Sequence, residues 1–578
     1  MTGAWHAQAR DQGVAPFHPD PYYRVVRNVR VYGAQGDGET DDTDAINRAI
    51  ADGARCGAQA DSCTTAPALV YIPPGTYRVS RPIVSFYNTH ILGDVVERPV
   101  IKALPHFEGI ALIDENPYDK DGKNWYTPQN NFFRSVANLV LDLTSMPPSV
   151  GTGIHHQVSQ STGLTNVHFE MVRGPASRQQ GIFMENASGG FMSDLSFTGG
   201  HYGAWLGNQQ FTVRNARFAH CHTAICQYWN WAWTYIDICV EDCSIAIEMH
   251  AMHRERQGVG ALLLSDWTIR NTPVGVWLED AQTGHLTLDH VHVHNVPAIV
   301  QDSRGTNLLA SPADRTSHSI PLWVKAPASS LKAIVPGMER RGLLFVGTPD
   351  VHPDATERDL VSVRIPYGIY VVKDTLHVPI GTRIVGEAQP VILGSGELFN
   401  DACHPRPVVR VGHQGDVGEL VVCDLIFGTQ GPAEGAIVVE WNAHESHQGA
   451  VAMFDAHIRV GGTKGTNLET GTCAKHKQLE ALPPASFLNL HVTPQASGYF
   501  QNVWVWTADH ALDEGAPTQI NVLSARGVLI EASEGPVWMY GTASEHELLY
   551  QYSLIGAKNV LLAMIQTESP YFQGHLFR

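Results

Sequence analysis

Short apolar pairs separated by one residue recur along the first half of the chain. They are Leu139/Leu141, Val167/Phe169, Leu195/Phe197, Ala216/Phe218, Ile238/Val240, Trp267/Ile269 and Val291/Val293, at intervals of 28, 28, 21, 22, 29 and 24 residues. Period-two alternation puts both members of a pair on one side of a strand. A helical repeat would instead show apolar positions at 3.6-residue spacing. Regular pairs at irregular intervals predict a parallel β-helix, in which each coil lays a strand about 4.8 Å from the last and unequal loops absorb the difference. Residues 300–345 break the pattern with Pro312, Pro321, Pro327 and Pro336. Beyond them Leu343–Val346 reads as a strand, and pairs such as Leu425/Phe427, Ile437/Val439, Leu488/Leu490, Val503/Val505, Val528/Ile530 and Val560/Leu562 follow. The pattern predicts an all-β chain: an N-terminal β-helix domain over 1–310, a linker over 311–342 and a C-terminal β-helix domain over 343–578.

A long-period repeat supports two copies of one architecture. Ile72-Pro73-Pro74-Gly75-Thr76-Tyr77-Arg78-Val79 returns 293 residues later as Ile365-Pro366-Tyr367-Gly368-Ile369-Tyr370-Val371-Val372. The register holds through Ile83/Leu376, Thr89/Thr382, Ile91/Ile384 and Gly93/Gly386. A cleft between two such copies, lying side by side, is a natural ligand site. Ahead of the first copy, glycine turns and the run Asp41-Asp42-Thr43-Asp44 should cap a helix carrying Ile46, Ala49 and Ile50 on one face.

The net charge of −18 disfavours nucleic acid, anionic membranes and polyanionic sugars, and leaves neutral substrates unpenalised. No apolar run is long enough to span a bilayer. Cys56 and Cys63 flank a short segment and could close a surface loop, which would imply a secreted protein whose leader has been removed. Cys221, Cys226, Cys239 and Cys243 lack the spacing of zinc modules and read as buried packing residues, so no metal is expected. His290, His292 and His294 spread over roughly 13 Å of strand, too far apart to share one ion.

Three passages carry a resemblance. Val31-Tyr32-Gly33-Ala34-x-Gly36-Asp37-Gly38-x-x-Asp41-Asp42-Thr43 resembles the opening of pectate-lyase-like β-helix proteins, whose helices are right-handed. Glu440-Trp441-Asn442 with Asn502-Val503-Trp504-Val505-Trp506-Thr507-Ala508-Asp509-His510 is the second, and Tyr540-Gly541-Thr542-x-Ser544-Glu545-His546 with Gln566-Thr567-Glu568-Ser569-Pro570-Tyr571 the third. Together they resemble glycoside hydrolase family 55, the exo-β-1,3-glucanases, with Ala511 standing where the pattern has Asp. The resemblance implies inverting release of glucose from the non-reducing end of β-1,3-glucan, without cofactor, by an extracellular protein expected to be a monomer. It assigns Glu568 as general acid and Glu545 as the residue that positions or activates water.

Spacing is compatible with that assignment. Glu545 and Glu568 lie 23 residues apart, one coil by the intervals above. Strict stacking would bring them closer than the 6.5–9.5 Å an inverting pair needs, so a loop offset is expected to widen the gap. Gln210 and Thr234, again about one coil apart, are candidates to hold the water, with Gln209 as the alternate; a polar ladder between coils is the competing reading. Trp506 with Asp509, Tyr571 and Trp231 are candidate sugar contacts, because the CH face of glucose packs on aromatic rings. Two rivals stand. A pectinolytic enzyme would need Asn-Thr-Asp, Gly-His-Gly and Arg-Ile-Lys elements, which the chain lacks. A non-catalytic carbohydrate-binding β-helix would bind glucan without turning it over.

Overall fold

The computed structural model describes residues 13–58, 60–253, 256–313, 316–326, 361–477, 482–514 and 518–571. The expected strand at Leu343–Val346 lies outside these residues. The chain divides into two compact units, each a parallel β-helix.

In the first unit a coil consists of one long strand and one short one. Arg134–Asp142, Thr162–Glu170, Phe191–Thr198, Gln210–Ala219 and Ala232–Glu241 stack in one sheet. Thr152–His155, Gln180–Met184, Tyr202–Gly207 and Thr223–Trp229 stack in a second. The intervals in the sequence are the pairing registers. Leu139 pairs with Val167, Phe169 with Phe197, Leu195 with Ala216, Ala216 with Ile238, Val240 with Ile269 and Ile269 with Val293. Inside the coils Phe169, Phe197 and Phe218 stack with ring centroids 4.6 and 4.4 Å apart, one strand spacing per ring. Turn positions on the long strands hold Asn138, Asn166, Asp194 and Asn215 at positive φ. Asn166 Nδ2 donates to Asn138 Oδ1 at 2.8 Å and Asn215 Nδ2 to Asp194 Oδ1 at 2.6 Å.

The second unit builds each coil from three short strands, in sheets of seven, seven and six. Val537–Tyr540, Ala543–Glu545 and Tyr550–Leu554 form one such coil. Its apolar pairs therefore belong to different sheets. Phe427 and Val505 lie in one, Val439, Leu490 and Val528 in another, and Val560/Leu562 in the third. Strands of four residues all alternate alike, which is why the sequence pattern does not separate them.

Two expectations about boundaries change. Ser317–Lys325, inside the expected linker, is a strand antiparallel to His285–His294. Among the described residues it pairs on one side only, so Pro321 needs no ladder bond there. His292 and His294 hydrogen-bond Ser319 and Ser317 of this strand. Residues 13–26 and 53–69, expected in the first domain, belong to the second unit. Cys56 and Cys63 are disulfide-bonded in that segment. Ser62 Oγ donates to Leu512 O at 2.7 Å, Thr64 Oγ1 to Asp513 Oδ2 at 2.7 Å, and Tyr367 OH to Thr64 O at 3.1 Å. The helix forms at Thr43–Ala51 with Ile46, Ala49 and Ile50 buried. Asp42 does not cap it with its side chain; its carboxylate accepts instead from Gln35 N at 2.6 Å and Gly36 N at 3.0 Å, fixing the glycine turn.

Candidate active site

Four consecutive strands of one second-unit sheet align a column of side chains: Arg459, Trp506, Glu545 and Glu568, each the register partner of the next. Arg459 lies over the Trp506 ring at 5.6 Å. Glu545 is 2% exposed, whereas the Glu568 side chain at the end of the column is 30% exposed. Gln566, two residues before Glu568 and so on the same face, bridges the pair. Its Nε2 donates to Glu545 Oε1 at 2.9 Å and to Glu568 Oε1 at 3.0 Å. Both protons of one amide are thereby used, one on each carboxylate.

This geometry corrects the expected loop offset. Glu545 and Glu568 stack in direct register, and the shared donor keeps their accepting oxygens within about 6 Å of each other. Strand Ala543–Glu545 and strand Gln566–Glu568 both end at the glutamate, so no loop intervenes to shift one against the other.

Around the pair, His546 Nδ1 lies 3.0 Å from Ser569 O, its Nε2 lies 3.9 Å from Glu568 Oε2, and its ring stacks on Tyr571 at 5.1 Å. His510 Nδ1 lies 2.8 Å from Asp509 Oδ2. Burial alone would raise the Asp509 carboxyl, but the His510 hydrogen bond and the charges of His510 and His546 outweigh it and hold it below the usual range. Tyr571 is pushed up to about 12, first by burial and then by the charges of Asp509, Glu568 and Glu545. The three carboxyl groups of Asp509, Glu545 and Glu568 therefore share one neighbourhood, with a phenol that keeps its proton and can donate it to a ligand oxygen. Glu547 is different: it is fully buried, accepts from Asn489 Nδ2 at 2.9 Å and Ser544 Oγ at 3.1 Å, and is held well above the usual range by burial.

The other predicted residues divide. Trp506 is 2% exposed beneath Arg459, so the expected sugar platform is instead a buried support for the column. In the first unit Trp229 and Trp233 are buried, donating to Glu185 O and Asn208 O, and the strand breaks between them; only Trp231, 49% exposed, presents its ring. Gln210 pairs with Ala232, and Thr234 with Thr212, because this coil is 22 residues long rather than 24. Gln209 Oε1, Thr212 Oγ1, Thr234 Oγ1 and Asn230 Nδ2 are all buried and make no hydrogen bond among the described residues. Thr212 and Thr234 are register partners, and buried polar atoms of this kind mark a place for water or a ligand hydroxyl. Gln566, Thr212 and His546 were not singled out from sequence; the 22-residue interval between Ala216 and Ile238 does contain the signal for Thr212.

Comparison with known proteins agrees with the fold. A family profile described as Rhamnogalacturonase A/epimerase, pectate lyase-like matches residues 26–248. A probable glucan endo-1,3-beta-glucosidase of Arthroderma benhamiae is 38% identical over 99% of this chain and 82% of its own. A glucan 1,3-beta-glucosidase of Cochliobolus carbonum is 37% identical over 99% of this chain and 79% of its own. The chain belongs to glycoside hydrolase family 55. A protein of Penicillium expansum named as a non-secreted LysM effector is 40% identical over 98% of this chain, which spans 44% of that protein.

Proposed function

We propose that the chain hydrolyses β-1,3-glucan, releasing glucose from the non-reducing end with inversion. The observation that carries this reading is the Glu545–Gln566–Glu568 constellation, two carboxylates joined through one amide. The names of the Arthroderma and Cochliobolus relatives support the substrate class. Glu568, the more exposed acid, gives its proton to the glycosidic oxygen as the C1–O bond breaks. Water bonds to C1, and its proton passes to the Glu545 carboxylate. Tyr571 and Asp509 bind sugar hydroxyls as donor and acceptor. The disulfide supports an extracellular protein.

Incubation with laminarin tests substrate and mode together. Glucose should dominate the earliest products; a ladder of oligosaccharides would assign an endo mode, and binding without products would leave only a carbohydrate-binding role. One observation favours a second reading of stereochemistry. An accepting-oxygen gap within about 6 Å is nearer the 5–5.5 Å of retaining pairs than the 6.5–9.5 Å of inverting ones. Proton NMR of the first turnovers decides: α-glucose supports inversion, β-glucose makes Glu545 a nucleophile.

A further inference from the structure

Three different metal donors meet on one face of the first unit, on residues that take no part in the catalytic column. Cys226 on Thr223–Trp229 is the register partner of Glu248 on Ile245–Met249, and His250 follows two positions later on the same face. Cys226 Sγ lies 3.5 Å from His250 Nε2, and His250 Nε2 lies 3.7 Å from Glu248 Oε2. All three donor atoms lie within 4.8 Å of one another. A tetrahedral zinc ion with Zn–S near 2.3 Å and Zn–N and Zn–O near 2.0–2.1 Å holds its donors about 3.3–3.6 Å apart. The two measured separations are already close to that size.

The surroundings are those of a supported ligand set. His250 Nδ1 lies 3.4 Å from Glu279 Oε2, which leaves Nε2 as the ring nitrogen nearer Cys226 and Glu248. Glu279 Oε2 is itself fixed by Ala251 N at 2.8 Å and Arg256 Nη2 at 2.6 Å. Thr223 Oγ1 donates to Glu248 Oε1 at 2.9 Å, leaving Oε2 directed at the cluster. The His250 ring sits between Tyr228 and Trp277, at 5.7 and 6.2 Å. The buried thiols of Cys221 and Cys243 meet backbone carbonyls, Ala219 O at 3.8 Å and Glu241 O at 3.5 Å, and each other, as space-filling thiols can. Cys226, 1% exposed, lies instead against a carboxylate and an imidazole.

We propose that Cys226, Glu248 and His250 bind one zinc ion, with a water molecule in the fourth position. On binding, the Cys226 thiol releases its proton, so thiolate and carboxylate balance the two positive charges. The test uses the full chain, stripped with chelator and titrated with zinc chloride by calorimetry and metal analysis. One equivalent should bind at micromolar concentration or tighter and raise the unfolding midpoint by several degrees. Cys226→Ser and His250→Gln should each weaken uptake at least tenfold, and Cys239→Ser should not. Cobalt(II) added to the unmutated chain gives a check independent of folding, because ligation by Cys226 produces a thiolate-to-metal absorption band. No uptake of zinc, no thiolate band with cobalt, or uptake that survives both ligand variants would overturn the proposal.

Discussion

The duplicated opening element folds alike in both units and then leads to different helices. Tyr77 OH donates to Pro73 O at 2.9 Å, and Tyr370 OH to Pro366 O at 2.8 Å. Thr89–Gly93 and Thr382–Gly386 are equivalent strands. Each ends in a glycine pressed on the turn of the next coil: a Cβ would lie 1.9 Å from Asn138 O at Gly93, and 2.0 Å from Asp424 O at Gly386. Past this point the first unit folds its coils into two sheets and the second into three. The turn ladder also changes. Where the first unit places Asn138, the second places Asp424, next to Asp455. The comparison teaches that the shared motif fixes how a coil starts and where the next backbone passes, while the strand lengths that follow decide how many sheets result. The three-sheet unit ends its strands early, and that is how two glutamates come to close adjacent coils at one edge.

The largest effect should come from the feature found in the second unit alone. Glu568→Gln is expected to lower kcat on laminarin about a thousandfold or more while leaving the unfolding midpoint in place. Equal loss of stability and rate would instead make Glu568 a structural residue. Next, Gly93→Ala and Gly386→Ala should each cost about 2–4 kcal/mol in denaturant unfolding, because the added methyl meets a backbone carbonyl in both copies. Clearly unequal costs would break the equivalence of the two copies.

Asp424→Asn converts the second ladder to the first at one position. Burial, and then the Asp455 charge, raise the Asp424 carboxyl from 3.8 to about 7. A raised folded-state value means full stability below pH 4, lost as pH rises toward 7 because the unfolded chain ionises first. The variant should therefore gain about 1–2 kcal/mol over the parent at pH 8 and much less at pH 4. A gain independent of pH would remove Asp424 from that role. The smallest contrast is Tyr77→Phe against Tyr370→Phe. Both lose the same hydrogen bond, but Tyr77 is fully buried and Tyr370 is 40% exposed. The first should cost about 1 kcal/mol and the second a few tenths.

Legibility in the sequence follows the same contrast. In the first unit every interval between apolar pairs is a true register, because one long strand per coil supplies one pair per coil. In the second unit three short strands per coil produce indistinguishable pairs, so their intervals carried no register. Glu545 and Glu568 stand out through the resemblance of their motifs, and their 23-residue separation is the register of one coil. Gln566 escaped because nothing in its spacing marks a buried amide that spans two acids. Alternation alone does not tell a covered face from an open one, and Trp506 lies on a covered face. The average coil length pairs Gln210 with Thr234, whereas the local interval of 22 pairs Thr212 with Thr234.

The central claim is that the Gln566-bridged pair is where the glycosidic bond breaks. The most direct measurement is a crystal structure of Glu568→Gln soaked with a short β-1,3-glucan oligosaccharide. The account predicts the glycosidic oxygen of the terminal glucose within about 3.2 Å of the residue 568 side chain. An oligosaccharide bound with that oxygen nearer any other carboxylate would contradict it.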